Sequence, residues 1–348
     1  MERSIRRRYV LLDGIRGVAA FEIMAYHLWL HGKFFFGSNI FVDLFFVLSG
    51  FVLAPQLLLR SKGSSKEFIV KRVLRLWPML IPAFIILVAT EMVPVIHKSL
   101  HATSHAPLQY VCAFLLLQIF SGTLIPILTP LWSLSAEWFV NLLSVNFSPR
   151  GKNLVVILVF GFGLELIGLY LDNKYQLGWG LIKYLVAIGR AVLGFYAGIY
   201  LRISTTKKNK KSSATKFLLA LMLCGLEFYL LQFSNYFVVF SAPIFYLLLN
   251  QVVRFDETRL PIAVIRLSSY LGKISYGVYV WHEILAKLAI PDFLIKHSPF
   301  KIPGFGAPFF RVVCSVILVI IVTEFCIRFF EAPINIWGKK KFAILSNV

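Results

Sequence analysis

The chain has 348 residues, 58% of them apolar, with a mean hydropathy of +0.77 and a formal net charge of +20. A soluble domain of this length cannot bury so much apolar surface, so an ordinary water-soluble enzyme is excluded. Lys and Arg are gathered in short segments between apolar runs, the pattern of cytoplasmic membrane loops, so no nucleic-acid partner is expected.

Runs of ~20 apolar residues recur, each long enough to cross ~30 Å of hydrocarbon as a helix. They are continuous and not alternating, which selects helices over a barrel. The sequence therefore predicts an all-α polytopic helical bundle in a lipid bilayer. Window hydropathy places candidate spans at roughly 10–30, 39–59, 76–96, 108–127, 131–147, 153–171, 180–201, 217–234, 236–253, 270–290 and 308–330. With a cytoplasmic N-terminus, the basic segments at 60–75, 149–152, 205–211 and 338–341 all return to the cytoplasm if one candidate between 97 and 152 does not cross. About ten crossings are expected on that ground. The weakest candidate, 131–147, carries six polar residues and reads as short, tilted or re-entrant.

In the first span Arg16 and His27 are eleven residues apart, nearly three turns, so they share one face with about 16 Å between them along the axis. Asp13 lies one turn before Arg16. Arg16 reads either as an arginine snorkelling to the headgroups or as the cation of an intramembrane polar line. His27 reads either as a bonded core histidine or as the far end of that line. Their common face favours the line, because each buried charge costs at least ~2.5–3.5 kcal/mol. Glu22 has no assignment.

The second span opens "FVDLFFVLSGFVL". Asp43 is either a first-turn acid favoured by the macrodipole or a carboxylate that orients a histidine. Ser49 and Gly50 read as close packing. Arg72 and Arg75, in "KRVLRLWP", mark the cytoplasmic side, and their guanidinium forks also match phosphate oxygens. His97, His101 and His105 stand at four-residue spacing in an external loop without a carboxylate or cysteine, and no metal is expected.

In "PLWSLSAEWFVNLLSV" Ser133, Glu137, Asn141 and Ser144 form one polar stripe. Serine and asparagine serve as glue between helices, but Glu137 needs a cation, a proton or a wet pocket. Arg190, Glu165, Glu227 and Glu324 are also intramembrane. The one local pair the spacing suggests is Glu324 with Arg328. In "LGKISYGVYVWHEILAK" Ser275, Tyr279 and His282 share a face, either as an interfacial belt or as part of a site. Cys112, Cys224, Cys314 and Cys326 lie in apolar runs as small hydrophobes.

Taken in order, "LLDGIRGVAAFEIMAYH", "FVDLFFVLSGFVL", "FIVKRVLRLWP", "PLWSLSAEWF", "ISYGVYVWHEIL" and "RFFEAP" resemble the motifs of the membrane-bound acyltransferase family 3 over residues 10–334. The resemblance implies transfer of an acyl group, usually acetyl, from acetyl-coenzyme A in the cytoplasm to a hydroxyl of an extracytoplasmic or lipid-linked glycan such as O-antigen, capsule or exopolysaccharide. It implies a bacterial inner or plasma membrane, with the carbohydrate, acyl-CoA and the bilayer as partners. By carry-over His27 is catalytic, Arg16 binds the donor, and Asp43 and Glu137 are supporting acids. Arg72 and Arg75 join Arg16 at the donor. Asp13, Ser133, Asn141, Tyr279 and His282 stand as candidate substrate-binding groups. A single transmembrane domain over 1–348, without an appended soluble domain, is expected. Glu22 and "AEWFVN" depart from the family pattern, the latter lacking a second acid beside Glu137. A histidine base and an acyl-histidine relay both fit these residues. A transporter or flippase of a polar or lipid-linked substrate is the rival reading, since such paths are also lined by intramembrane polar groups.

Overall fold

The computed structural model describes residues 8–30, 37–58, 65–92, 107–120, 130–146, 151–171, 181–207, 211–287 and 306–342. These residues are overwhelmingly helical, with no strand among them. In chain order the helices are α1 (Val10–Ala25), α2 (Phe41–Leu58), α3 (Ser65–Met92), α4 (Pro107–Phe114), α5 (Leu131–Asn146), α6 (Gly151–Leu171), α7 (Leu181–Lys207), α8 (Ala214–Leu230), α9 (Ser241–Val252), α10 (Ile262–Lys287), α11 (Gly306–Cys326) and α12 (Ala332–Phe342). Six stretches among the described residues are long and apolar enough to cross a membrane: Ser38–Leu58, Ser65–Ala89, Gly151–Leu171, Tyr184–Thr206, Asn235–Val252 and Val312–Gly338. The chain is a multi-pass membrane protein.

Several spans differ from the hydropathy reading. Helix α3 begins at Ser65, so the basic stretch around Arg72 and Arg75 is helical and enters the bundle instead of preceding it. The span expected over 108–127 is broken after α4. Leu116 takes φ +56°, a left-handed conformation that an α-helix cannot continue through, and a 3₁₀ turn, Gln118–Phe120, comes next, with 121–127 outside the described residues. Helix α5 has 16 residues, about 24 Å at 1.5 Å per residue, less than the hydrocarbon thickness.

Helix α7 is central. Its apolar stretch is 78% buried, whereas that of α6 is 28% buried and turns Val155, Val156, Val159 and Phe160 outward, the composition of a lipid-facing surface. Helix α2 lies along α7 at a separation that only glycine permits. A Cβ on Gly50 would sit 1.8 Å from the Phe195 carbonyl oxygen, and one on Gly198 2.0 Å from that of Val47. Helices α1 and α10 form the second close pair and run in the same direction. Gly17 abuts Leu271, and Asp13 abuts Gly272. That parallel pairing brings the polar face of α1 against the polar face of α10.

Helix α1 does not end in a regular cap. It passes into a π-helical turn, Tyr26–Leu30, that contains His27. The wider turn re-aims the residues it carries, and such turns recur at functional sites. A second π turn, Ile327–Glu331, joins α11 to α12.

Candidate functional site

A cavity of about 750 Å³ lies between α1, α2, α3, α5 and α10. Arg8, Tyr9, Glu67, Lys71 and Arg202 line it at the end where α1 and α3 begin and α7 ends. Ser133, Phe45 and Tyr279 line the opposite, inner end. Arg16, Arg72, Arg75, Glu137 and Ser275 lie along its length. Cations outnumber acids on this wall, so the cavity suits an elongated, multiply anionic ligand.

Each arginine is held differently. Arg16 donates through Nε to the Ser275 hydroxyl at 3.0 Å and through Nη2 to the Gly272 carbonyl at 2.8 Å and to Asp13 at 3.2 Å. Asp13 also accepts from Arg8 at 2.9 Å. Asp13, proposed from sequence as a substrate contact, is thus engaged by two arginines. Arg75 pairs with Glu331 and lies over the Tyr276 ring at 5.6 Å. Arg72 has no such partner among the described residues, and its Nε is buried without a hydrogen bond. Arg72 as a whole is half-buried, and the unbonded nitrogen is a donor that an anionic ligand could engage.

Glu137 faces this group. Its carboxylate accepts from the Ser49 hydroxyl at 2.5 Å, with the guanidiniums of Arg72, Arg75 and Arg16 near enough to act on its charge. Ser49, read from sequence as packing, is therefore a polar member of the wall.

At the inner end the Tyr279 hydroxyl donates to the Pro130 carbonyl at 2.7 Å and meets Ser133 Oγ at 2.6 Å. Its ring packs against Phe45 at 5.6 Å and against His282 at 5.8 Å. His282 in turn lies 5.2 Å from His27, centroid to centroid. His27 is not among the lining residues. Arg16 and His27 face the same helix, α10, but the open cavity stops at Tyr279, one ring short of the histidine pair.

Asp43, one of the two carboxylates expected to steer His27, is bound to Arg190, which approaches its two oxygens at 2.6–3.2 Å and also donates to the Asn39 carbonyl at 3.0 Å. The Arg190 guanidinium sits over the Trp132 ring at 5.4 Å. The expected Glu324–Arg328 pair is not formed, because Glu324 reaches Lys273 on α10 at 2.7 Å. Asn141 is buried with both amide atoms unbonded and is not among the cavity-lining residues. Glu22 is half-buried on α1. His97, His101 and His105 lie outside the described residues. Arg202, which sequence reading passed over, stands 4.9 Å from the Phe51 ring and 5.3 Å from Tyr9 at the cavity mouth. Its one sequence signal is a cation in the last turns of a long apolar helix. Glu331 was legible only as part of "RFFEAP", with no partner named for it.

The stretches that carried the family resemblance are the ones that meet here, and the family match takes in all of them but the last, "RFFEAP". Residues 9–326 match the acyltransferase domain of that family. The chain belongs to the membrane-bound acyltransferase family 3. It is 26% identical over 378 residues to the peptidoglycan O-acetyltransferase OatA of Listeria monocytogenes, covering 96% of this chain and 57% of that protein. It is 23% identical over 385 residues to the O-acetyltransferase OatA of Staphylococcus aureus strain NCTC 8325, covering 99% of this chain and 60% of that protein. The chain thus spans less than two thirds of the length of these relatives. "Protein 2 in picA locus" of Rhizobium radiobacter is 40% identical over 97 residues, 26% of this chain and 49% of that protein. No solved structure matches the chain. As a member of the acyltransferase family, it needs an acyl donor, and the cationic cavity is where the family's sequence motifs converge.

Proposed function

We infer that this protein is a membrane O-acyltransferase that takes an acetyl group, or another acyl group, from acyl-coenzyme A and passes it to a glycan hydroxyl. The observation that carries this reading is Arg72, whose Nε is buried without a hydrogen-bond partner in a cavity lined also by Arg16 and Arg75 and reaching to Tyr279. A coenzyme A thioester offers what this wall lacks: phosphates for the arginines and a long, narrow arm for the aromatic inner end. Membership in the acyltransferase family and likeness to two O-acetyltransferases support the same reaction.

In this reading the mouth of the cavity is cytoplasmic, as is the N-terminus, and Arg8, Lys71 and Arg202 gather the donor from solution. Arg16, Arg72 and Arg75 hold the phosphates, with Glu137 spacing the guanidiniums. Tyr279 closes the inner end, so its ring shifts for the thioester to reach His27. His27 is the base. The acceptor oxygen bonds to the carbonyl carbon, the carbon–sulfur bond breaks, and the hydroxyl proton passes through His27 to the departing thiolate. General-base help of this kind contributes ~10²–10⁴ in rate. The acceptor is an extracytoplasmic or lipid-linked glycan reached from the far side of the membrane.

The test is protein in lipid nanodiscs with labelled acetyl-coenzyme A and an N-acetylglucosamine tetramer as probe acceptor. Label on the sugar that depends on His27 supports the reading. Transport of the sugar into proteoliposomes without donor, and no labelled product, would replace it with a transport function.

A further inference from the structure

The carboxylates expected to steer His27 are committed elsewhere. Asp43 is bound to Arg190, and Glu137 lies with Ser49 and the arginines of the cavity. The group that does stand against the His27 ring is a second imidazole, His282, at 5.2 Å and an interplanar angle of 42°. At that separation one bridging water can connect the two rings.

Three features fix how His282 presents itself. Its side chain is fully buried on α10, sharing a face with Ser275 and Tyr279. Its Nδ1 lies 3.2 Å from the Val278 carbonyl oxygen. A carbonyl only accepts, so Nδ1 carries the hydrogen and Nε2 is left as an acceptor. Tyr279, tied to Pro130 and Ser133, packs on the ring and keeps it from turning. A buried imidazole with a fixed tautomer and an acceptor nitrogen does for a neighbouring histidine what the acid of a triad does: it accepts the N–H and orients the ring.

We propose that His282 is the positioning residue of the reaction, accepting the N–H of His27 through one water so that the other His27 nitrogen faces the acceptor hydroxyl. This rests on the reading of His27 as the base. The proton balance of the transfer is unchanged: the hydroxyl proton goes to His27 and then to the thiolate, while His282 keeps its own proton on Nδ1. His27 stands in the π turn Tyr26–Leu30.

The experiment compares wild type, His27→Ala, His282→Phe and His282→Gln in nanodiscs, with acetyl-coenzyme A and the N-acetylglucosamine tetramer. Phenylalanine keeps the packing and loses both nitrogens, so kcat should fall about 10²-fold while KM for acetyl-coenzyme A stays within about twofold. Glutamine retains an acceptor and should recover at least about tenfold of that loss. A wild-type kcat in His282→Phe, or a glutamine variant no better than phenylalanine, overturns the proposal and leaves His282 as core packing. Wild-type turnover in His27→Ala overturns the base assignment itself, and this proposal with it. An independent readout on the unmodified chain is the ¹⁵N spectrum of its histidines. The proposal requires His282 as the Nδ1–H tautomer, with an Nε2 signal that moves in His27→Ala. An Nε2–H tautomer, or a signal indifferent to His27, contradicts it.

Discussion

Asp43 and Arg190, each 1% exposed, meet at 2.6 Å between α2 and α7. The pair ties the start of one membrane helix to the middle of another, and the guanidinium carries Trp132 of α5 on its face. This is a structural joint, placed where the two helices already approach through glycine.

Removing one member of such a pair leaves a buried charge with no counterpart. Asp43→Asn and Arg190→Met should each destabilise the protein by about 3–5 kcal/mol, and the double variant should recover most of that loss. Thermal unfolding in detergent measures it. Additive losses in the double variant would mean the two residues act independently.

Arg72 is expected to behave differently from Arg16. Arg72→Ala removes a cation whose Nε makes no hydrogen bond in the fold, so it should weaken coenzyme A binding by about 10- to 100-fold with little change in thermal stability. Arg16→Ala also breaks bonds to Gly272 and Ser275, so it should lower both affinity and stability. Titration calorimetry beside a melting curve separates the two. Undiminished binding in Arg72→Ala would remove the phosphate assignment.

Glu137→Gln tests whether that acid serves the cavity or the histidine. Set among Arg16, Arg72 and Arg75, it repels an anionic donor, so the glutamine variant should bind coenzyme A at least as tightly as wild type. It should also show a shallower loss of turnover, under about tenfold, than His27→Ala. A collapse of kcat equal to that of His27→Ala would make Glu137 part of the proton path.

The glycine contacts give a stability test. Gly50→Ala and Gly198→Ala place a methyl on a carbonyl oxygen of the facing helix and should force α2 and α7 apart at a cost of about 1–3 kcal/mol or more. Gly163→Ala meets nothing within 4 Å and should be neutral or slightly stabilising by up to about 1 kcal/mol. Melting temperatures of the three variants decide it.

How much of this was legible in the sequence varies with range. The shared face of Arg16 and His27 followed from helical spacing, and both do turn toward α10. Ser275, Tyr279 and His282 likewise share a face because seven residues make two turns. What spacing could not supply was the partner. Asp43 and Arg190 are 147 positions apart, and every intramembrane acid was an equally good candidate for that arginine. The rule of four misassigned Glu324, because a lysine on the adjacent helix reaches it first. Hydropathy windows also began α3 too late. They read its basic first turns as loop, whereas Arg72 and Arg75 need helical spacing to face one cavity. The break at Leu116 has no glycine or proline to announce it.

The most direct test of the whole account is a cryo-electron-microscopy structure of the nanodisc-embedded protein with a non-hydrolysable acetyl-coenzyme A analogue. The account predicts phosphates against Arg72 and its neighbours Arg16 and Arg75, with the acyl end past a displaced Tyr279 and beside His27. An analogue bound away from those arginines, or with its acyl end pointing toward Arg8 and the mouth, would contradict it.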